Sequence, residues 1–172
     1  MSNFDTAILT LLKHEGLFSD DPHDAGGATK YGISLRWLKS IGGVHQNQNA
    51  EEITIDDIKN LKQEQAIELY CIHWWNKFNY EKILDQSIAT KVFVLAVNID
   101  APPAHRCLQR ALRAASNVHL VEDGILGNKT LSAINAANPV ILLASLRSEA
   151  AGYYRSLNNP RYLEGWLNRA YA

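Results

Sequence analysis

Cysteine is scarce in this 172-residue chain: only Cys71 and Cys107, without CxxC spacing, so neither a disulfide framework nor a paired-thiol metal site is expected, and a reduced compartment fits. Long hydrophobic runs are missing as well. The most apolar stretch, Val92 to Val97, is far short of the roughly 18 residues a spanning helix needs. Net charge is nearly absent, with 17 basic against 18 acidic residues, which excludes the strongly cationic field of a protein built to hold polyphosphate. Nucleic acid is therefore not an expected partner. There is no internal repeat, no low-complexity tract and no flexible Gly/Ser linker, and the first twenty residues carry Asp5 but no basic n-region of a Sec signal.

Several kinds of chemistry are excluded by missing motifs. The six histidines are scattered, no HExxH occurs, and no metal is expected. Gly127-Asn128-Lys129-Thr130 lacks the GK[ST] ending of a phosphate loop, and no GxSxG elbow offers a serine nucleophile. With 47% hydrophobic and 20% charged residues, the composition is that of a globular chain able to bury a core without staples.

What is present is mostly helical patterning. Ile8, Leu11 and Leu12 fall at helical spacing, and Glu15 ends the same apolar stripe. Gly16 to Ser34 is rich in Gly, Asp and Thr and reads as an ordered loop or short hairpin; Ser34 then caps a helix Leu35 to Ile41, stopped by Gly42 and Gly43. Thr54, with Asp57 three residues on, starts what the pattern Ile58, Leu61, Leu69, Ile72 predicts to be one long amphipathic helix. It runs into His73, Trp74, Trp75, Phe78 and Tyr80, an aromatic cluster read as a core plug or lobe junction. Helices are further expected over Ile88 to Ile99, from Pro102-Pro103 onward, over Thr130 to Ala137, Pro139 to Leu157 and Arg161 to Tyr171, with a turn at Asp123-Gly124. The fold expected is all-α, two-lobed, with residues 1–86 and 87–172 packed as one compact unit and almost no sheet.

The chemistry concentrates between Glu15 and Ser34. A Glu at the inner end of an apolar face is expected to have a raised pKa, which suits a general acid, and Asp20, Asp21 and Asp24 are candidate partners. The same Glu could instead accept hydrogen bonds from loop amides, and Asp24 could simply hold the Gly26-Gly27 turn. A calcium loop fails, since Pro22 and Ala25 stand where an oxygen ligand and the required glycine would be.

The ordered string Glu15-Gly16-Leu17-Phe18-Ser19-Asp20-Asp21-Pro22-His23-Asp24-Ala25-Gly26-Gly27-Ala28-Thr29-Lys30-Tyr31-Gly32-Ile33-Ser34 resembles the N-terminal signature of the glycoside hydrolase family 108 muramidases, E-G-G-aromatic-x-x-D-P-x-D-x-G-G-x-T-x-x-G-I-S/T, phage endolysin-like and "secretion activator" proteins. Leu17 replaces the second glycine. Phe93 to Asn98, Leu108 to Leu112, Asp123 to Gly127 and Thr130-Leu131 are similar to the peptidoglycan-binding module that follows in that family, with Ile99-Asp100 departing from it. The resemblance implies that Glu15 is the essential carboxylate and that peptidoglycan glycan strands are the substrate, cleaved at the β-1,4 bond between N-acetylmuramic acid and N-acetylglucosamine without a cofactor. A looser similarity to phage-type lysozymes, which order Glu, Asp and Thr around their cleft, implies roles for Asp24 and Thr29 in holding the attacking water. Asp20, Asp21, Gly26, Gly27, Tyr31, Trp74 and Trp75 are the expected sugar contacts. A wall-binding protein without turnover and a lytic transglycosylase are the alternatives. Synthesis in the cytoplasm without a signal peptide is expected, with a holin, a secretion system or lysis giving access to the wall.

Overall fold

The computed structural model describes residues 1–13, 18–20 and 27–172. These divide into two compact units, one formed by Ile8–His73 and the other by Met1–Ala7 with Trp74–Ala172. Helix dominates both. Among the described residues the only sheet is a hairpin of two short strands.

In the smaller unit, α1 (Phe4–Leu12, begun in the other unit) buries Ala7, Ile8 and Leu11 and leaves Leu9 exposed, as a 3.6-residue period requires. Strands β1 (Thr29–Lys30) and β2 (Ile33–Ser34) pair antiparallel, Thr29 opposite Ser34 and Lys30 opposite Ile33. Their turn, Tyr31-Gly32, has φ of 52° and 78°, the double left-handed geometry whose twist matches a two-residue hairpin. Ser34 caps α2 (Leu35–Ser40) as expected, accepting a hydrogen bond from the Trp37 amide.

The long helix expected from Thr54 is a correction. Thr54 and Asp57 do form a capping box for α3 (Ile55–Asn60), but the helix ends at Leu61, whose ψ of 126° is extended. A second start follows at once: the Lys62 amide donates to Gln65 Oε1 at 2.9 Å, opening α4 (Gln63–Tyr70). The break lets Leu61 turn inward, where it is buried, while Ile58 and Leu69 stay in the core from separate helices. Apolar periodicity alone does not reveal such a break, because both helices bury residues of one pattern. From Tyr70 the chain widens into a π-helical segment, Cys71–Asn76.

The larger unit is a helical core. Asp85 accepts from the Ile88 amide and starts α5 (Gln86–Ile99), followed by α6 (Ala101–Ser116), α7 (Asn128–Ala136), α8 (Pro139–Ser156) and α9 (Pro160–Tyr171). Helix α6 packs on α5 and α8, and α8 on α9. Ala104, Cys107, Leu108, Ala111 and Leu112 give α6 one fully buried stripe, and Ala150 and Ala151 face the core from α8; small side chains at the contact allow close helix approach. Lys91 is buried on α5 and donates to the Arg169 carbonyl at the end of α9 (2.7 Å), with burial first and Arg147 second lowering its pKa to about 8.

Candidate active site

The sequence places its chemistry in and around the hairpin of the smaller unit. Glu15, Asp21, Asp24 and Gly26 lie outside the described residues. The residues that flank them are tightly held. Ser19 and Thr29 exchange both backbone hydrogen bonds at 2.8 Å, so Asp20 sits immediately beside the hairpin, and the Leu35 amide donates to Ala28. Gly27 has φ of 73°, a left-handed conformation that favours glycine, although a Cβ there would meet only ordinary contact.

Thr29 is half-buried and its hydroxyl donates to the Gly27 carbonyl at 3.1 Å. Among the described residues no group donates to that oxygen, and its accepting lone pairs are the half of its capacity that orients a water molecule. Tyr31 is fixed from behind: its carbonyl accepts from Tyr70 Oη at 2.9 Å, and Lys30 Nζ stands 5.4 Å from its ring. Lys30 Nζ also donates to the Lys59 carbonyl, tying β1 to the end of α3. Asp20, Gly27, Thr29 and Tyr31 are thus gathered at one hairpin.

The two tryptophans separate. Trp74 is half-buried in the π-helical segment. Trp75, expected as a sugar contact, is a correction: it is 3% exposed, with its ring against Phe4, Tyr80 and Phe93 at centroid distances of 5.6, 6.0 and 5.6 Å. A buried ring packed edge-to-face on Tyr80 and Phe93 and tilted against Phe4 has no face to offer a ligand. Among the described residues, no three His, Cys, Asp or Glu gather in a way that could hold a metal ion, and no helix is long and apolar enough to cross a membrane.

A buried polar network in the larger unit was not singled out by any motif. His105 Nδ1 lies 2.9 Å from the Gly124 carbonyl and Nε2 2.8 Å from Tyr80 Oη. A carbonyl only accepts, so Nδ1 carries the proton and Nε2 accepts from the tyrosine. Gln109 completes the clasp, its Oε1 accepting from the Gly124 amide and its Nε2 donating to Asp123 Oδ1. The available signal was the four-residue spacing of His105 and Gln109 on the apolar side of α6. Gly124 is obligatory here, with φ of 77° and a Cβ that would lie 2.7 Å from the Pro102 carbonyl oxygen.

Burial holds His105 below the usual imidazole range, against a smaller upward pull from the Gly124 hydrogen bond. The unfolded chain therefore binds the proton more readily, and stability is expected to be full above about pH 6.5 and to fall as pH drops below it, by at most about 1.4 kcal/mol per pH unit. Thermal denaturation between pH 7.5 and 5 should show this. His105→Phe should be less stable throughout, leaving Tyr80 Oη and the Gly124 carbonyl without their histidine partner, and should lack that part of the slope.

Comparison with known proteins gives these features a context. Residues 8–99 match the family model Glycosyl hydrolase 108, and residues 103–171 match the model described as "Predicted Peptidoglycan domain". Together they define the class: a glycoside hydrolase acting on peptidoglycan. The chain belongs to glycosyl hydrolase family 108, whose model covers more than half of its length. The solved structure of SagA from Brucella abortus is similar, with a TM-score of 0.80 at 23% identity, covering 97% of this chain and 88% of that one; the likeness is one of fold. No curated protein matches the chain.

Proposed function

We propose that this glycoside hydrolase is an N-acetylmuramidase of lysozyme type, cleaving the β-1,4 bond between N-acetylmuramic acid and N-acetylglucosamine. Glu15 protonates the leaving oxygen, and Asp24 and Thr29 hold the attacking water on the opposite face of the ring. Asp20, Asp21, Gly26, Gly27, Tyr31 and Trp74 contact the sugars. Functionally, residues 1–86 carry catalysis and residues 87–172 hold the wall. No cofactor takes part. A holin or a secretion system brings the protein from the cytoplasm to the periplasmic wall.

The observation that supports this reading most is the family match over residues 8–99, which contains the ordered Glu15 to Ser34 signature. Thr29 adds to it, with an oxygen free to accept a water proton while its own proton is engaged by Gly27.

Product analysis tests the reaction type. Purified peptidoglycan digested by the protein should yield muropeptides with reducing N-acetylmuramic acid ends, which borohydride converts quantitatively. Anhydro-muramic ends would assign a lytic transglycosylase, and reducing N-acetylglucosamine ends would assign the other β-1,4 bond.

A further inference from the structure

Beside the hairpin, α2 and α3 border a shallow, open cleft of about 520 Å³ within the smaller unit, a volume suited to a small ligand. Leu35 and Lys39 reach it from one face of α2, four residues apart, and Ile55, Asp56 and Lys59 from α3. Glu51, Ile53 and Thr54 form the connecting wall, and Asp20 closes the end nearest the Ser19 to Thr29 bridge. The lining is thus an apolar strip with both signs of charge around it.

The charges are largely uncommitted. Lys59 pairs with Asp56 at 3.5 Å, both well exposed. Lys39, Asp20 and Glu51 have no ion pair among the described residues. No aromatic ring is among the described residues that line the cleft, the neighbouring Phe18 ring standing 6.0 Å from Lys59 Nζ, so the lining has little stacking surface for a neutral sugar, and its two lysines are balanced by three carboxylates, which disfavours a polyanion. A short zwitterionic peptide matches it: carboxylates toward Lys39 and Lys59, an ammonium toward Asp20 and Glu51, aliphatic side chains on Leu35 and the exposed Ile55, while Ile53 is buried beneath. Peptidoglycan carries such a ligand on the lactyl group of each muramic acid, a short stem peptide with free carboxylates and an amine.

We infer that the α2–α3 cleft is a binding site for the stem peptide of peptidoglycan, so that the enzyme recognises peptide-bearing glycan rather than bare sugar. The inference rests on the reading of peptidoglycan as substrate.

The test is a titration of the full-length protein, followed by amide chemical shifts, with a synthetic stem tetrapeptide and with the same peptide acetylated and amidated to remove its charges. Binding of the charged peptide should shift resonances around Leu35, Lys39, Ile55 and Lys59. Neutralising the peptide, or reversing charge in Lys39→Glu/Lys59→Glu, should weaken it about tenfold, the scale expected of two exposed ion pairs. Absence of binding, shifts located elsewhere, or affinity indifferent to both changes overturns the inference. Clearing of whole peptidoglycan by the same sample is scored separately: clearing without peptide binding defeats the cleft and leaves the muramidase, and peptide binding without clearing does the reverse.

Discussion

Glu15→Gln is expected to abolish clearing of purified peptidoglycan while circular dichroism and thermal denaturation stay at wild-type values. Glutamine keeps the shape of the side chain and removes its proton. The leaving sugar oxygen is a poor leaving group near neutral pH, so the transition state needs a positioned acid, and such transfer contributes about 10² to 10⁴ in rate. A loss of at least about 100-fold in kcat, with binding to the wall retained, is therefore the expected result. Initial rates of turbidity loss and a pull-down of each protein with insoluble wall measure the two quantities. A folded Glu15→Gln protein that clears the wall as fast as wild type would remove Glu15 from the mechanism.

The second large effect is on stability. Trp75→Ala should cost about 3–5 kcal/mol, the range for truncating a large buried aromatic. Trp75 is the hub of a cluster in which Phe4 also touches Phe93 and Tyr80 touches Phe93 and His105, so an alanine leaves a cavity bounded by the rings of Phe4, Tyr80 and Phe93. Their edge-to-face contacts are lost with it. Against a total of about 5–15 kcal/mol for a typical domain, this is enough to lower the urea midpoint severely or to leave the protein partly unfolded at 37 °C. A Trp75→Ala protein with an unchanged midpoint but weaker wall binding would restore this residue as a sugar contact.

Trp75 also marks where local reading stops. Its neighbours in sequence announced an aromatic cluster, but whether a given ring faces the core or a ligand depends on Phe4, some seventy residues earlier, and Phe93, eighteen later. The same contrast runs through the site. The caps at Ser34 and Thr54 and the helical stripe of α6 were legible, since each is settled by residues within a turn or two of backbone. The hairpin was legible as a turn-rich segment, and the Glu15 to Ser34 string carried the resemblance to the family that the chain matches over residues 8–99.

The break at Leu61 and Lys62 was not legible, because an apolar period continues across it. Nor was the tautomer of His105, which is fixed by Tyr80 and Gly124, or the depressed pKa of Lys91, which comes from burial and then from Arg147, 56 residues away. The cleft is of the same kind: Lys39, Glu51 and Lys59 are ordinary solvated charges in the sequence and become one surface only when α2 and α3 pack. Local sequence was enough to show that the chain is helical and where the caps at Ser34 and Thr54 stand. Tertiary structure decided which side chains are desolvated and which charges meet, because propensity and capping act over a few residues whereas burial and electrostatics depend on distance in space.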